Sequence, residues 1–445
     1  MDCEALKTDI ENLQAKHNAL QEQIELLSDA DSGEVKKKSE IQAMQADIES
    51  TVDSLLGKYL DDFAEQNPDV FLPFEVGEVE RLPYETEVTK IMPLPDIPGK
   101  NGRILVGGKK SPAYLLEQNP SGESYDYLGE VTHSRSCTLS SAVVLPNNEG
   151  VLFGLVDTPT VNGVAPFRTY LLPLVGNKPL SALPLQNDVD VYSLAIVPNS
   201  SDVLMGGGLN GYLSICYKGN PDPNTGRRRF IKGFGHKINE DIGYINAIQA
   251  LPNSEDVLIA SSLGYLGTTK RNQDGTYKSC QKIINAPNLY RNVFLNIVTT
   301  PDNDDALVGN ALGDFYIIKK TKDGAWEFDE RRKIETNLQP PSTAVLPNGD
   351  VIVANHTSEF AEKSFPNRHH GKIGIITKND TGDYKFISYG GVVKFAISTI
   401  AALPNGDILL GGSKGQLCTL YRKENPKTVE ELKRNLDKII EKGSL

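Results

Sequence analysis

One motif recurs seven times between residues 88 and 423, and this repetition constrains the fold more than any other feature of the chain. Each copy is an apolar strand ending near a Pro, a tight polar turn, a second apolar strand, a pair of small residues, and a third apolar strand. The anchoring prolines are Pro95, Pro146, Pro198, Pro252, Pro301, Pro347 and Pro404, separated by 51, 52, 54, 49, 46 and 57 residues. Proline lacks the N–H that a ladder needs, so the first strand stops there. Asn-Gly, Asn-Ser or Asp-Asn then turns the chain. Gly107-Gly108, Gly206-Gly207, Ala260-Ser261 and Gly411-Gly412 follow the second strand and mark backbone too crowded for bulk.

Seven such units, each of three or four short strands, predict a mainly β protein built on a seven-bladed β-propeller over residues 70–423. The last copy ends after its third strand, Leu417–Arg422. A ring needs a fourth strand there. Residues 71–83 are expected to supply it as the outermost strand of the seventh blade, so that chain start and chain end close the ring.

The unit resembles the WD40-type repeat, in which a Pro-Asp-Gly-like turn joins two inner strands and a small-residue pair precedes a third. The resemblance covers residues 88–423. The Trp-Asp pair that usually ends the third strand is replaced by Cys216-Tyr217-Lys218, Thr269-Lys270, Ile318-Lys319 and Leu420-Tyr421-Arg422. One Gly-His pair survives, Gly235-His236. In the family that His joins a buried polar network, which here implies His236 with Ser261 or Ser262.

The flanks read as helical. Leu6, Ile10, Leu13, His17, Leu20, Ile24 and Leu27 form a heptad stripe with one polar seam position. Turn residues around Ser28–Gly33 interrupt it, and a second stripe runs Ile41, Met44, Ile48, Val52, Leu55, Tyr59, Phe63. Residues 1–66 are therefore expected to form a helical hairpin or coiled coil. The same stripe over residues 6–27 would also serve self-association or capture of a partner helix. A capping-box pattern at Thr428–Glu431, with Val429, Leu432, Leu436, Ile439 and Ile440 on one face, predicts a C-terminal helix over 426–442.

Charge excludes some functions. Residues 1–66 carry 16 acidic and 6 basic side chains, which accounts for most of the net charge of −12. Neither part has the basic field of a nucleic-acid binder. No apolar run is long enough for a membrane span. The five cysteines, at 3, 137, 216, 280 and 418, are scattered and odd in number, which favours a reducing, cytoplasmic setting over a disulfide framework.

Long connections mark candidate binding surfaces, because loops on a rigid scaffold often carry recognition. Residues 156–167 and 355–371 both join second to third strands and so belong to one face. The second loop holds His356, Phe360, Phe365, Arg368, His369 and His370, and Tyr290 with Arg291 is expected on the same face. A metal on His356, His369 and His370 is disfavoured, since adjacent histidines do not easily share one ion and no Cys or carboxylate stands at zinc spacing. Arg227, Arg228, Arg229, Lys232 and Lys237 form a basic cluster expected on the opposite face. That cluster is either a solvated strand or a patch for phosphate, acidic headgroups or an acidic peptide. Asp302–Asp305 lacks the ligand ladder of a calcium loop.

No nucleophile elbow, phosphate loop, dinucleotide-binding glycine pattern or HExxH occurs. The sequence calls for no cofactor. It reads as a non-enzymatic, cytoplasmic scaffold or adaptor for protein partners. Two alternatives stay open: an effector that an intracellular bacterium delivers into a host cytosol, and a propeller hydrolase or lactonase-like enzyme.

Overall fold

A computed structural model of the chain describes residues 72–423, except for 84, 96–101, 132–136, 146–149, 158–167, 174–182, 186–190, 199, 201, 208–210, 222–227, 233–235, 238–241, 252–253, 275, 284–292, 300–304, 322–324, 337, 339–340, 356–370 and 380, together with a few isolated residues between 12 and 51. The chain divides into two compact units. One comprises 74–387 with 391–423 and is the propeller; the other comprises 1–73, 388–390 and 424–445. In the second unit the described backbone at Asn12, Ala15, Ala19, Gln42–Met44, Ala46, Asp47 and Thr51 is helical, and Thr51 Oγ1 donates to the Asp47 carbonyl at 2.8 Å. Met44, a member of the second apolar stripe, is exposed. The rest of the hairpin expected over 1–66, and the whole helix expected over 426–442, lie outside the described residues.

The chain opens with β1 (Phe74–Arg81). Blade 1 is β2 (Val88–Pro93), β3 (Arg103–Gly108), β4 (Ala113–Gln118) and β5 (Tyr125–Glu130). Blade 2 is β6 (Cys137–Val144), β7 (Gly150–Asp157), β8 (Arg168–Pro173) and β9 (Leu183–Leu185). Blade 3 is β10 (Ser193–Ile196), β11 (Val203–Gly207), β12 (Tyr212–Pro221) and β13 (Arg228–Lys232), with β14 (His236–Lys237) also against β12. Blade 4 is β15 (Ile245–Ala250), β16 (Asp256–Ser261), β17 (Leu266–Lys270) and β18 (Gln281–Lys282). Blade 5 is β19 (Phe294–Thr299), β20 (Asp305–Asn310), β21 (Asp314–Lys320) and β22 (Trp326–Glu335). Blade 6 is β23 (Pro341–Val345), β24 (Val351–Asn355), β25 (Gly371–Lys378) and β26 (Tyr384–Val393). Blade 7 is β27 (Ile397–Ala402), β28 (Ile408–Gly412) and β29 (Gln416–Arg422), completed by β1.

The closing strand thus comes from the chain start, as the strand count requires. β1 runs antiparallel to β29, from Phe74 opposite Arg422 to Arg81 opposite Gln416, with a bulge between Val76 and Val79. Further bonds tie blade 7 to blade 1. Tyr125 N donates to Glu80 at 3.1 Å and Tyr421 Oη to Glu123 O at 2.9 Å, while Leu82 N donates to Gly415 O at 2.8 Å and extends the β1 pairing within blade 7.

The anchor turns behave as their residues dictate. At Leu346–Asp350, Gly349 N donates to Leu346 O at 2.9 Å and Leu346 N to Asp350 O at 2.8 Å. Gly349 and Gly406 hold the same place in two copies with φ of 89° and 88°, a conformation costly for any residue with a Cβ. The small-residue pairs are crowded, as expected. A Cβ on Gly107 would lie 2.1 Å from the Leu139 Cβ of the next blade, and one on Gly206 2.5 Å from Ile245. Apolar residues pack between blades rather than at one centre: Leu105, Leu139 and Phe153 join blades 1 and 2, and Leu258, Phe294 and Ile318 join blades 4 and 5.

Candidate functional site

Two devices recur around the ring, and both involve residues at fixed places in the repeat. The first is a latch between neighbouring blades. The Asp that opens the second strand of one blade meets a basic residue and an aromatic residue of the next. Asp202 accepts from Arg271 Nε at 2.7 Å and Tyr277 Oη at 3.2 Å. Asp256 pairs with Lys320 Nζ at 2.7 Å and accepts from Trp326 Nε1 at 3.3 Å. Asp305 pairs with Lys378 Nζ at 2.9 Å and accepts from Tyr384 Oη at 3.3 Å. Lys320 and Lys378 also lie over the rings of Trp326 and Tyr384, 5.8 and 5.2 Å from the centroids. Burial alone would raise the Asp256 carboxyl; hydrogen bonds from Lys320, Ser254 and Trp326 outweigh it and hold the group below the usual carboxylate range. Burial alone would likewise lower Lys378, but its bond to Asp305 keeps the ammonium above the usual lysine range. These trios link neighbouring blades. The His236 side chain lies outside the described residues; Ser261 Oγ and Ser262 Oγ accept from Tyr265 N and Tyr244 N.

The second device rings the central channel. The innermost strands β2, β6, β15, β19 and β27 share a register irregularity at one position, beside Lys90, Ser141, Ala247, Asn296 and Thr399. The residue inside it often reaches the next blade. Thr89 donates to Leu139 O at 2.8 Å, Ser140 to Val191 O at 2.6 Å, Asn246 to Phe294 O at 2.9 Å and Ser398 to Val88 O at 2.5 Å. One position on, Ser141 Oγ accepts from Leu194 N at 3.1 Å and Ser193 Oγ from Ile248 N at 2.9 Å. At that position blade 1 carries Lys90. The innermost strands of blades 1 to 6 line a cavity of about 470 Å³ on the ring axis. Among the described residues lining it there is no Asp, Glu, His or Cys, and Lys90 is the single charged one.

The nominated loop residues stand differently. Asn355 and Gly371 bound a second-to-third-strand connection, and Asp157 and Arg168 bound another, so both connections leave from one face. His356, Phe360, Phe365, Arg368, His369, His370, Tyr290 and Arg291 themselves lie outside the described residues. Of the basic cluster, Arg228, Arg229 and Lys232 are on β13, the outermost strand of blade 3, and Lys237 is on β14; Arg227 and all five side chains lie outside the description. The shorter turns of the loop-bearing face are described. Their exposed tips are Leu263 and Leu312 on blades 4 and 5, and Lys109, Lys110 and Lys414 on blades 1 and 7. Sequence reading passed over the latch carboxylates, Lys90 and these tips. Aligning the seven copies on their prolines would have exposed Lys90, since other copies carry Ser, Ala, Asn or Thr there.

No cluster of three metal-ligating side chains occurs among the described residues, and no helix among them is long and apolar enough to cross a membrane. No protein-family model matches the chain, and no curated protein matches its sequence. Solved structures do match. The WD40 β-propeller domain of Doa1 is similar at a TM-score of 0.53 and 15% identity, over 79% of this chain and 98% of that one. The β-propeller domain of Cps50 (Swd1) from Myceliophteria thermophila is similar at a TM-score of 0.55 and 10% identity, over 79% of this chain and 100% of that one. Residues 74–423 therefore fold as a seven-bladed propeller of the WD40 type, and at these identities the likeness concerns the fold.

Proposed function

We propose that the protein is a non-enzymatic scaffold that binds protein partners on the propeller face bearing the long connections 158–167 and 356–370. The observation that carries this reading is the division of that face into exposed leucines on blades 4 and 5 and exposed lysines on blades 7 and 1. A rigid ring that presents an apolar tip and a basic tip across its mouth suits a partner segment with apolar and acidic residues. The hairpin read at 1–66 and the helix read at 426–442 would add a second, separable recognition element.

Partner capture from lysate with four proteins tests this: the full chain, a chain beginning at residue 67, the double variant Leu263→Asp with Leu312→Asp, and the variant Lys110→Glu with Lys414→Glu. Capture by the first two proteins and loss in both face variants supports the propeller face. Capture lost only when the first 66 residues are removed would assign recognition to the hairpin and overturn the proposal.

A further inference from the structure

We infer that the central channel is a binding site for a small oxyanion, a phosphate or carboxylate group, held by Lys90. The cavity of about 470 Å³ has room for a small molecule and is lined by the innermost strands of six blades. Each of those strands is the edge of its sheet, so its outer row of backbone groups faces the axis rather than a ladder partner. Amides of Asn246 and Gln249 and hydroxyls of Ser140, Thr299 and Thr343 add polar groups to the wall. Asn246 and Ser140 are engaged in the blade-to-blade bonds, which leaves Lys90 as the charged anchor.

Lys90 stands apart from the latch cations Arg271, Lys320 and Lys378. Among the described residues no carboxylate meets it, and its side chain makes no ion pair or hydrogen bond with them. Its neighbours across the cavity are neutral: Tyr192, Asn246, Gln249, Asn296 and Thr343. Lys90 is half-buried, and that burial pushes its ammonium below the usual lysine range. At the same position in blades 2 and 3, Ser141 and Ser193 accept a backbone N–H from the next blade. A protonated lysine has no acceptor to offer. The substitution therefore forgoes a blade-to-blade bond and adds a desolvation cost, and an oxyanion in the cavity would offset both.

The test uses the full chain and inorganic phosphate or citrate as probes, by calorimetric titration at constant ionic strength. Lysines labelled at Cε are titrated in parallel by NMR. Wild type should bind one probe at a single site, and Lys90→Met should weaken that binding about tenfold or more while still folding. Bound anion favours the protonated amine, so saturating probe should raise the pH at which the Lys90 signal titrates. Binding of phosphate alone, citrate alone or both supports the inference and names the preferred group. Failure of both probes to bind wild type, or equal binding by Lys90→Met, overturns the inference. If the methionine variant does not fold, an unmoved Lys90 titration in the wild-type protein overturns it alone.

Discussion

Replacing Asp256 by Ala should loosen the seam between blades 4 and 5. Two interactions are lost. The Trp326 indole N–H, on a side chain only 7% exposed, loses its acceptor, and leaving such a buried donor unpaired costs about 1–3 kcal/mol. The ion pair to Lys320 is also lost, but that side chain is 24% exposed and regains water, so this part is about 1 kcal/mol. The sum is about 2–4 kcal/mol. Asp256→Asn keeps an acceptor and should cost about half as much. The chain has a single tryptophan, so fluorescence during urea denaturation reports from this seam. A double-mutant cycle with Lys320→Met should return a coupling of about 1 kcal/mol. The pH dependence has a definite sign. The Asp256 carboxyl is held below its ordinary value, so its contribution is present at neutral pH and fades as pH falls through the folded-state pKa. Wild type and Asp256→Asn should therefore converge in stability in strong acid. A loss below about 0.5 kcal/mol for Asp256→Ala, or zero coupling to Lys320, would refute the latch as a stabilising device.

Other expectations follow from the same geometry. Deleting residues 70–85 removes the six paired positions of β1, worth about 4–6 kcal/mol at a net 1 kcal/mol per bond, and calorimetry should show the whole propeller melting about 5–8 °C lower. An unchanged melting temperature would mean that the ring closes without β1. Gly107→Ala places a methyl group against Leu139 and should cost about 1–3 kcal/mol, whereas Gly102→Ala, which meets only the flexible end of Gln118 at 3.3 Å, should be nearly neutral; urea midpoints compare them. Burial pushes the Cys280 and Cys418 thiols up to about 11, so at pH 8 only about one in a thousand is thiolate, and neither should react with a thiol reagent until the chain is unfolded. Fast labelling of native Cys418 would contradict its burial at 1% exposure.

Much of the propeller was legible because its signals are local. A Pro, a turn dipeptide and a glycine act within a few residues, and repetition made seven weak signals into one strong one. Even the closing strand followed from counting three strands where four are needed. The latches were hidden for a different reason. Asp202, Asp256 and Asp305 stood in plain view in the repeats, but their partners lie 69–75, 64–70 and 73–79 residues away and belong to the next blade. Their spacing tracks the repeat itself, so an aspartate after a turn reads as turn chemistry until the blades are set side by side.

Sequence alone therefore determined the repeat, the number of blades and the strand that shuts the ring, since backbone chemistry within one unit decides each of them. Tertiary structure decided what each polar residue does. Lys90 looks like any lysine on a strand until the inner strands of six blades line one cavity around it, and only that convergence half-buries it and leaves it, among the described residues, facing a cavity without a counter-charge. Leu263 and Leu312, two residues in separate turns, likewise become one side of a face only when adjacent blades place their turns together.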